Sequence, residues 1–195
     1  MPADPPALRY AWILRHARAR PGGSGSDRER PLSPEGLADA TALGARLGPG
    51  GDRLGLASVA LPALVVCSPA LRTRQTAEAA IAGLSPAPRL VVLPELYGAS
   101  PGAIGALVDQ AASSDPLPAQ AVMVVGHNPS MAQLVAGCLR GDDRAGATHL
   151  GAAGFPPGAL AVLQVPTRPA PRGGPDLLGP DRAVLLGLFT PPYAT

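Results

Sequence analysis

The sequence predicts an α/β sandwich of three layers, with helices on both faces of a mostly parallel central sheet of about six strands. Two observations carry that prediction. Short runs rich in Val and Leu alternate with segments of helical period, and only 3% of the 195 residues are aromatic while 46% are hydrophobic. An aliphatic core of that kind suits a parallel sheet buried on both faces. The length suits one substantial core, so a single domain over residues 1–195 is expected.

The punctuation of the chain supports this reading. Gly (24 residues) and Pro (25 residues) together reach a level that would suggest disorder if they were evenly spread. Instead they gather in the first six residues, in Pro21–Ser26, Gly48–Asp52, Ser85–Pro88 and Pro166–Pro175. Met1–Ala7 is expected to be flexible, and Pro166–Pro180 to form a loop.

Between these breaks lie six candidate strands: Arg9–Arg15, Ala63–Cys67, Arg89–Leu93, Ala121–Gly126, Ala159–Val165 and Ala183–Phe189. A helix should start at the N-cap Ser33, with Pro34 at its first position and Glu35 beside the positive end of the dipole, and run to Leu47. It is expected to bury Leu37, Ala40, Leu43 and Leu47. Leu71–Ala82, Pro101–Ala112 and Pro129–Leu139 read as further helices. The order β, α, β, α, β, α, β, α, β, β places functional groups just past the carboxyl ends of the strands. The last two strands should bring an antiparallel edge.

Charge and cysteine usage exclude several classes. The formal net charge is only +2, and the 16 basic residues, all arginine, are scattered without a basic run or interleaved aromatics, so no nucleic-acid footprint is expected. Cys67 and Cys138 lie far apart with no CxxC spacing, which argues for reduced core thiols. No stretch reaches the roughly 18 apolar residues of a membrane helix, and the N-terminus carries no apolar h-region. A cytoplasmic monomer without a membrane partner is the default expectation.

Two of the three histidines stand immediately after a candidate strand: His16 after YAWILR and His127 after AVMVVG. His149, in THLGAAG, reads as a surface or structural residue in a loop. After a third strand, CSPALRTRQT (Cys67–Thr76) puts Arg72 near the start of a helix. Arg15 and Arg72 can converge on one pocket, each offering a fork of donors that suits phosphate oxygens. Helix N-terminal amides near Leu71 and Pro129 add positive potential. Arg74 reads as an exposed helix residue.

ILRHA (Ile13–Ala17), SPALRTRQTA (Ser68–Ala77) and VVGHNP (Val124–Pro129), in this order, resemble the three signatures of the histidine phosphatase superfamily. RPLSPEG (Arg30–Gly36) and LPELYGAS (Leu93–Ser100) resemble its SixA-type phosphohistidine phosphatases in particular. The resemblance implies a phosphoglycerate mutase-like fold and a metal-independent phosphatase without a cofactor, in which His16 becomes phosphorylated while Arg15, Arg72 and His127 bind the phosphoryl oxygens. His16 must be neutral to attack, and a cationic surround lowers its pKa; His127 serves better as a protonated donor. Glu95 is the candidate general acid by position, against a bland reading as an exposed strand-end glutamate. Ala17 stands where most of the superfamily has glycine; its methyl could crowd a backbone approach to phosphate, but the resemblance to SixA-type proteins makes it a branch marker rather than a sign of inactivation. Ser26–Arg30 reads as part of the rim.

Only about thirty residues separate Glu95 from His127, too few for a cap domain. An open site favours phosphohistidine on a protein substrate over an enclosed small molecule, and a mutase is disfavoured. The alternatives are a small-molecule phosphomonoesterase of the same superfamily and a silent phospho-binding module. A cysteine-dependent phosphatase built on Cys67 and Arg72 is disfavoured because the four residues between them include no glycine. A metal-dependent hydrolase lacks any HxxxH, HxH or paired-carboxylate spacing.

Overall fold

In the computed structural model, residues 10–22, 25–114, 120–165 and 177–193 are described. Met1–Ala7, expected to be flexible, and residues 166–176 of the expected loop Pro166–Pro180 lie outside them. The Val- and Leu-rich runs form β1 (Tyr10–Arg15), β2 (Leu64–Cys67), β3 (Arg89–Val92), β4 (Ala121–Gly126), β5 (Leu160–Gln164) and β6 (Val184–Phe189). They assemble into one sheet in the order β3-β2-β4-β1-β5-β6. The pairs β1–β4, β2–β3 and β2–β4 are parallel. The pairs β1–β5 and β5–β6 are antiparallel, so the last two strands make the antiparallel edge.

The central strands are apolar on both faces because both faces are covered. Along β1, Ala11 and Ile13 point into one core and Trp12 and Leu14 into the other, all fully buried. The first core is closed by α3 (Pro101–Ser113) and α4 (Ser130–Cys138), the second by α1 (Pro34–Leu47) and α2 (Leu71–Ile81). Each fully buried Val, Leu or Ile contributes about 1.5–3 kcal/mol. Both cores converge on the same strands and so fix the levels at which these strands end.

Helix α1 begins as expected: Ser33 Oγ accepts from the Gly36 N–H at 3.1 Å, with Pro34 opening the first turn. Ala40, Leu43 and Leu47 are buried as expected, but Leu37 is 49% exposed. The buried face is instead set by two glycines. A Cβ on Gly36 would stand 2.1 Å from the Arg18 carbonyl oxygen, and one on Gly44 2.4 Å from the Ala79 carbonyl oxygen. Backbone approach at these points turns Leu37 outward.

A second difference is an extra helix, α5 (Arg144–Ala153), where the His149 segment reads as a loop. Its sequence, RAGATHLGAA, is rich in Gly and Ala and has Leu150 as its one large apolar residue. Asp143 starts it instead, accepting from Gly146 N–H at 3.0 Å through Oδ1 and from Leu185 N–H of β6 at 2.9 Å through Oδ2. His149 is exposed on it, as a surface residue. Among the described residues, no helix is long and apolar enough to cross a membrane.

Candidate active site

Parallel register brings three strand ends to one level. Val125 of β4 pairs with Leu14 of β1 and with Cys67 of β2. The residues that follow therefore leave the sheet together: the His16 N–H donates to the Gly126 carbonyl at 3.0 Å and the Ser68 N–H to the Val125 carbonyl at 3.1 Å. Helix α2 starts shortly after β2 and carries Arg72 in its first turn, where it is 6% exposed. Its Nε lies 3.3 Å from His16 Nε2 and its Nη2 3.4 Å from His127 Nδ1. The two imidazoles stand edge to face with centroids 5.2 Å apart. Helices α2 and α4 both begin here without a side-chain cap.

Arg15 completes the group. Its Nη1 donates to the Phe155 carbonyl at 2.7 Å, and the Asn128 side-chain amide donates to the same carbonyl at 2.9 Å. The buried Arg15 Nε has no acceptor among the described residues. Its charge lowers the pKa of both site histidines. The structure thus brings together Arg15, His16, Arg72 and His127.

The hydrogen bonds decide which ring nitrogens carry protons. His16 Nδ1 lies 2.8 Å from the Ala17 carbonyl, which can only accept, so Nδ1 is protonated and Nε2 presents its lone pair. In His127, Nδ1 faces an arginine donor, so the proton sits on Nε2 and is given to Ser68 Oγ at 2.8 Å.

Burial lowers the pKa of His16 to about 4, opposed by the bond to Ala17 and assisted by Arg72, Arg15 and Arg30. The direction agrees with the sequence, but the leading cause is desolvation rather than the cationic surround. Burial also lowers His127 to about 4, with His16 and Arg72 pushing the same way and Asp27 opposing. Both shifts favour neutral rings at pH 7.

Glu95 is not brought into this group. It is exposed on a 3₁₀ turn (Pro94–Leu96) after β3 and lines a separate groove of about 320 Å³ with Arg89, Val91, Leu93 and Leu107. The carboxylate that does reach the group is Asp27, bonded to Arg72 Nη2 at 2.8 Å. Tyr97 stands edge-on to His127, and Thr76 accepts from the Ala17 N–H at 3.0 Å. Sequence reasoning gave no role to Asp27, Ser68, Tyr97 or Thr76; the signals were the polar rim segment Ser26–Arg30 and the motif positions flanking Arg72.

The Ala17 methyl is fully buried against Leu32 and Ala40, beneath α1 rather than in the path of a phosphoryl group. Cys67 is fully buried, and burial raises its thiol to about 12, so it carries no thiolate at neutral pH. Among the described residues, no three His, Cys, Asp or Glu side chains cluster as metal ligands.

This fold and this arginine–histidine group define a histidine phosphatase-like protein. Residues 11–117 match the model of the histidine phosphatase superfamily (branch 1), and the chain belongs to that family. Uncharacterized protein Rv1276c of Mycobacterium tuberculosis is 31% identical over 156 residues, 78% of this chain and 87% of its own. A protein of Nakamurella multipartitia assigned as a phosphohistidine phosphatase SixA superposes with a TM-score of 0.69 at 33% identity, covering 97% of this chain and 99% of the other. One so assigned from Agrobacterium tumefaciens gives 0.68 at 27% identity, covering 94% and 99%.

Proposed function

We propose that the chain is a metal-independent phosphatase acting through phosphorylated His16, with phosphohistidine on a protein as its substrate. One observation carries the reading: the His16 Nε2 lone pair, aimed by the Nδ1 bond to the Ala17 carbonyl, meets the Nε–H of Arg72, whose Nη2 faces His127. In the first step Nε2 bonds to phosphorus as the bond to the leaving nitrogen breaks. The leaving nitrogen keeps the electron pair and takes up a proton from solvent water. Water then attacks phosphorus, the P–Nε2 bond breaks, and inorganic phosphate leaves.

The guanidinium groups of Arg72 and Arg15 serve the phosphoryl oxygens. A phosphoryl dianion would draw a proton onto His127 Nδ1, the nitrogen nearer Arg72, and turn it into a further donor. Catalysis of this kind is mostly positioning and charge stabilisation.

The choice of leaving group follows from the carboxylates. Asp27 is held well below the usual carboxylate range, first by the Tyr97 hydroxyl and then by Arg30 and Arg72, so it is no acid at neutral pH. Glu95 hydrogen-bonds to none of the four site residues. A phosphoramidate nitrogen is basic enough to be protonated without a strong acid beside it, so the site suits phosphohistidine better than an ester. The half-buried His16 and His127 rings reach solvent, as admitting a partner's side chain requires. The likeness to proteins assigned as SixA points the same way.

The test is phosphate release, with EDTA present, from a phosphohistidine peptide and from an aryl phosphate, by wild type and His16→Ala. Release lost in the variant and faster on the peptide is expected, and Glu95→Gln should retain most of the peptide activity. Release surviving His16→Ala would sink the nucleophile assignment.

A further inference from the structure

We infer that Asp27, backed by Tyr97, is a positioning residue that aims the phosphoryl-binding edge of Arg72; the inference rests on the phosphatase reading above. A guanidinium offers two forks, one from Nε–H and one Nη2–H, the other from Nη1–H and the second Nη2–H. In Arg72 they are used differently. The Nε–Nη2 fork faces His16 Nε2 at 3.3 Å and His127 Nδ1 at 3.4 Å. The other is held by a single residue: Nη1 donates to the Asp27 carbonyl at 2.6 Å and Nη2 to Asp27 Oδ2 at 2.8 Å. The group is planar and rigid, so fixing the far fork orients the near one.

Asp27 is itself fixed from several sides. Its Oδ2 also accepts from the Tyr97 hydroxyl at 2.7 Å, and its Oδ1 from Arg30 Nη1 at 2.7 Å. Arg30 is tied in turn to the Arg20 carbonyl through Nε at 3.0 Å and Nη2 at 2.7 Å. The 3₁₀ turn Asp27–Glu29 is closed by a reciprocal cap between Ser26 and Glu29. Tyr97 packs edge-on against His127 at 5.2 Å between centroids, with Arg28 stacked 4.4 Å from its ring. The contacts close a ring from Arg72 through Asp27 and Tyr97 to His127 and back.

An exposed ion pair alone would mean little. Here one partner, Arg72, has its side chain only 7% exposed, so without Asp27 its far fork would hold buried donors lacking acceptors. The Asp27 charge also has a cost, because it repels the substrate anion. The two effects separate in kinetics: orientation acts on turnover, repulsion on binding.

Asp27→Asn, which keeps the shape and the backbone acceptor, should lower kcat on an aryl phosphate roughly 10- to 100-fold, as misplacing a group by about 1 Å does. KM should stay level or fall. Tyr97→Phe should repeat the pattern more weakly. Unchanged kcat, or a rise in kcat/KM that would make Asp27 a competitor of substrate, overturns the inference. A second readout needs no turnover: the Arg72 Nε–H resonance, assigned by its loss in Arg72→Lys, should exchange with solvent at least roughly tenfold faster in Asp27→Asn. If the wild type releases no phosphate and His16 is never phosphorylated, the phosphatase reading fails. The Arg72 resonance then decides alone, and an unchanged one rejects Asp27 as the positioning residue.

Discussion

A histidine attacks phosphorus only through an unprotonated ring nitrogen, and His16 meets that condition in two ways. The Ala17 carbonyl fixes its proton on Nδ1, and burial moves its pKa to about 4. The sign is that of a base whose charged form is disfavoured, so the nucleophilic form already dominates at pH 5, where an ordinary histidine of pKa about 6.5 would be mostly cationic. Ring resonances of His16 and His127 should therefore titrate near pH 4. Midpoints near 6.5 would refute the burial argument. Ser68 makes a separate prediction, since its hydroxyl accepts the Nε2 proton of His127. Ser68→Ala leaves that N–H unpaired and its tautomer unfixed, and kcat/KM should fall about tenfold, the cost of one lost buried hydrogen bond of roughly 1.4 kcal/mol. Steady-state kinetics on an aryl phosphate would check this, and an unchanged value would reduce Ser68 to packing.

At the scale of elements, the site depends on how closely α1 lies against the loop that follows His16. Arg18 passes over Gly36, where a side chain would meet its backbone, and the Arg18 carbonyl accepts from the Ser33 N–H at 2.9 Å at the start of α1. Gly36→Ala must push the loop or the helix aside. A cost of about 1–3 kcal/mol is expected from overpacking, lowering Tm by roughly 2–12 °C in calorimetry. An unchanged Tm would mean that the contact yields without strain. The same element shows why part of the fold was not legible. Apolar spacing predicted the extent of α1, because Ser33 and Pro34 are local signals, but it predicted the wrong orientation for Leu37, because glycines carry no hydropathy and yet choose the face. Helix α5 was missed for a related reason: its Gly- and Ala-rich segment offers Leu150 as its one large apolar residue, and the Asp143 cap that starts it and ties it to β6 is set by tertiary contact.

For the molecule as a whole, the sheet converts positions far apart in sequence into one site, and this was legible in advance for groups at strand ends. His16 and His127, both singled out from the sequence, follow strands whose register the cores enforce. Asp27 lies in a segment that reads as rim and Tyr97 in a quoted motif, but their partners were not legible, because they meet Arg72 and His127 only after two loops close over the sheet edge, and no spacing in the chain encodes that closure. The convergence has a consequence for stability. His16 and His127 are buried neutral, with pKa values near 4 in the fold against about 6.5 in the unfolded chain. As pH falls from 6.5 toward 4, the unfolded chain gains protons that the folded one refuses, so stability declines across that window and the decline levels off below it. Asp27, whose carboxylate is held far down by Tyr97, Arg30 and Arg72, adds its loss only below the ordinary carboxylate range. The two windows are separate. Urea midpoints measured at pH 7, 5.5 and 4.5 should fall at each step in the wild type. A double variant, His16→Ala with His127→Gln, should give a flatter profile over the same range, because it has lost the two rings that resist protonation. Parallel slopes in the two proteins would assign the acid sensitivity to other groups and remove the main support for neutral histidines in the folded site.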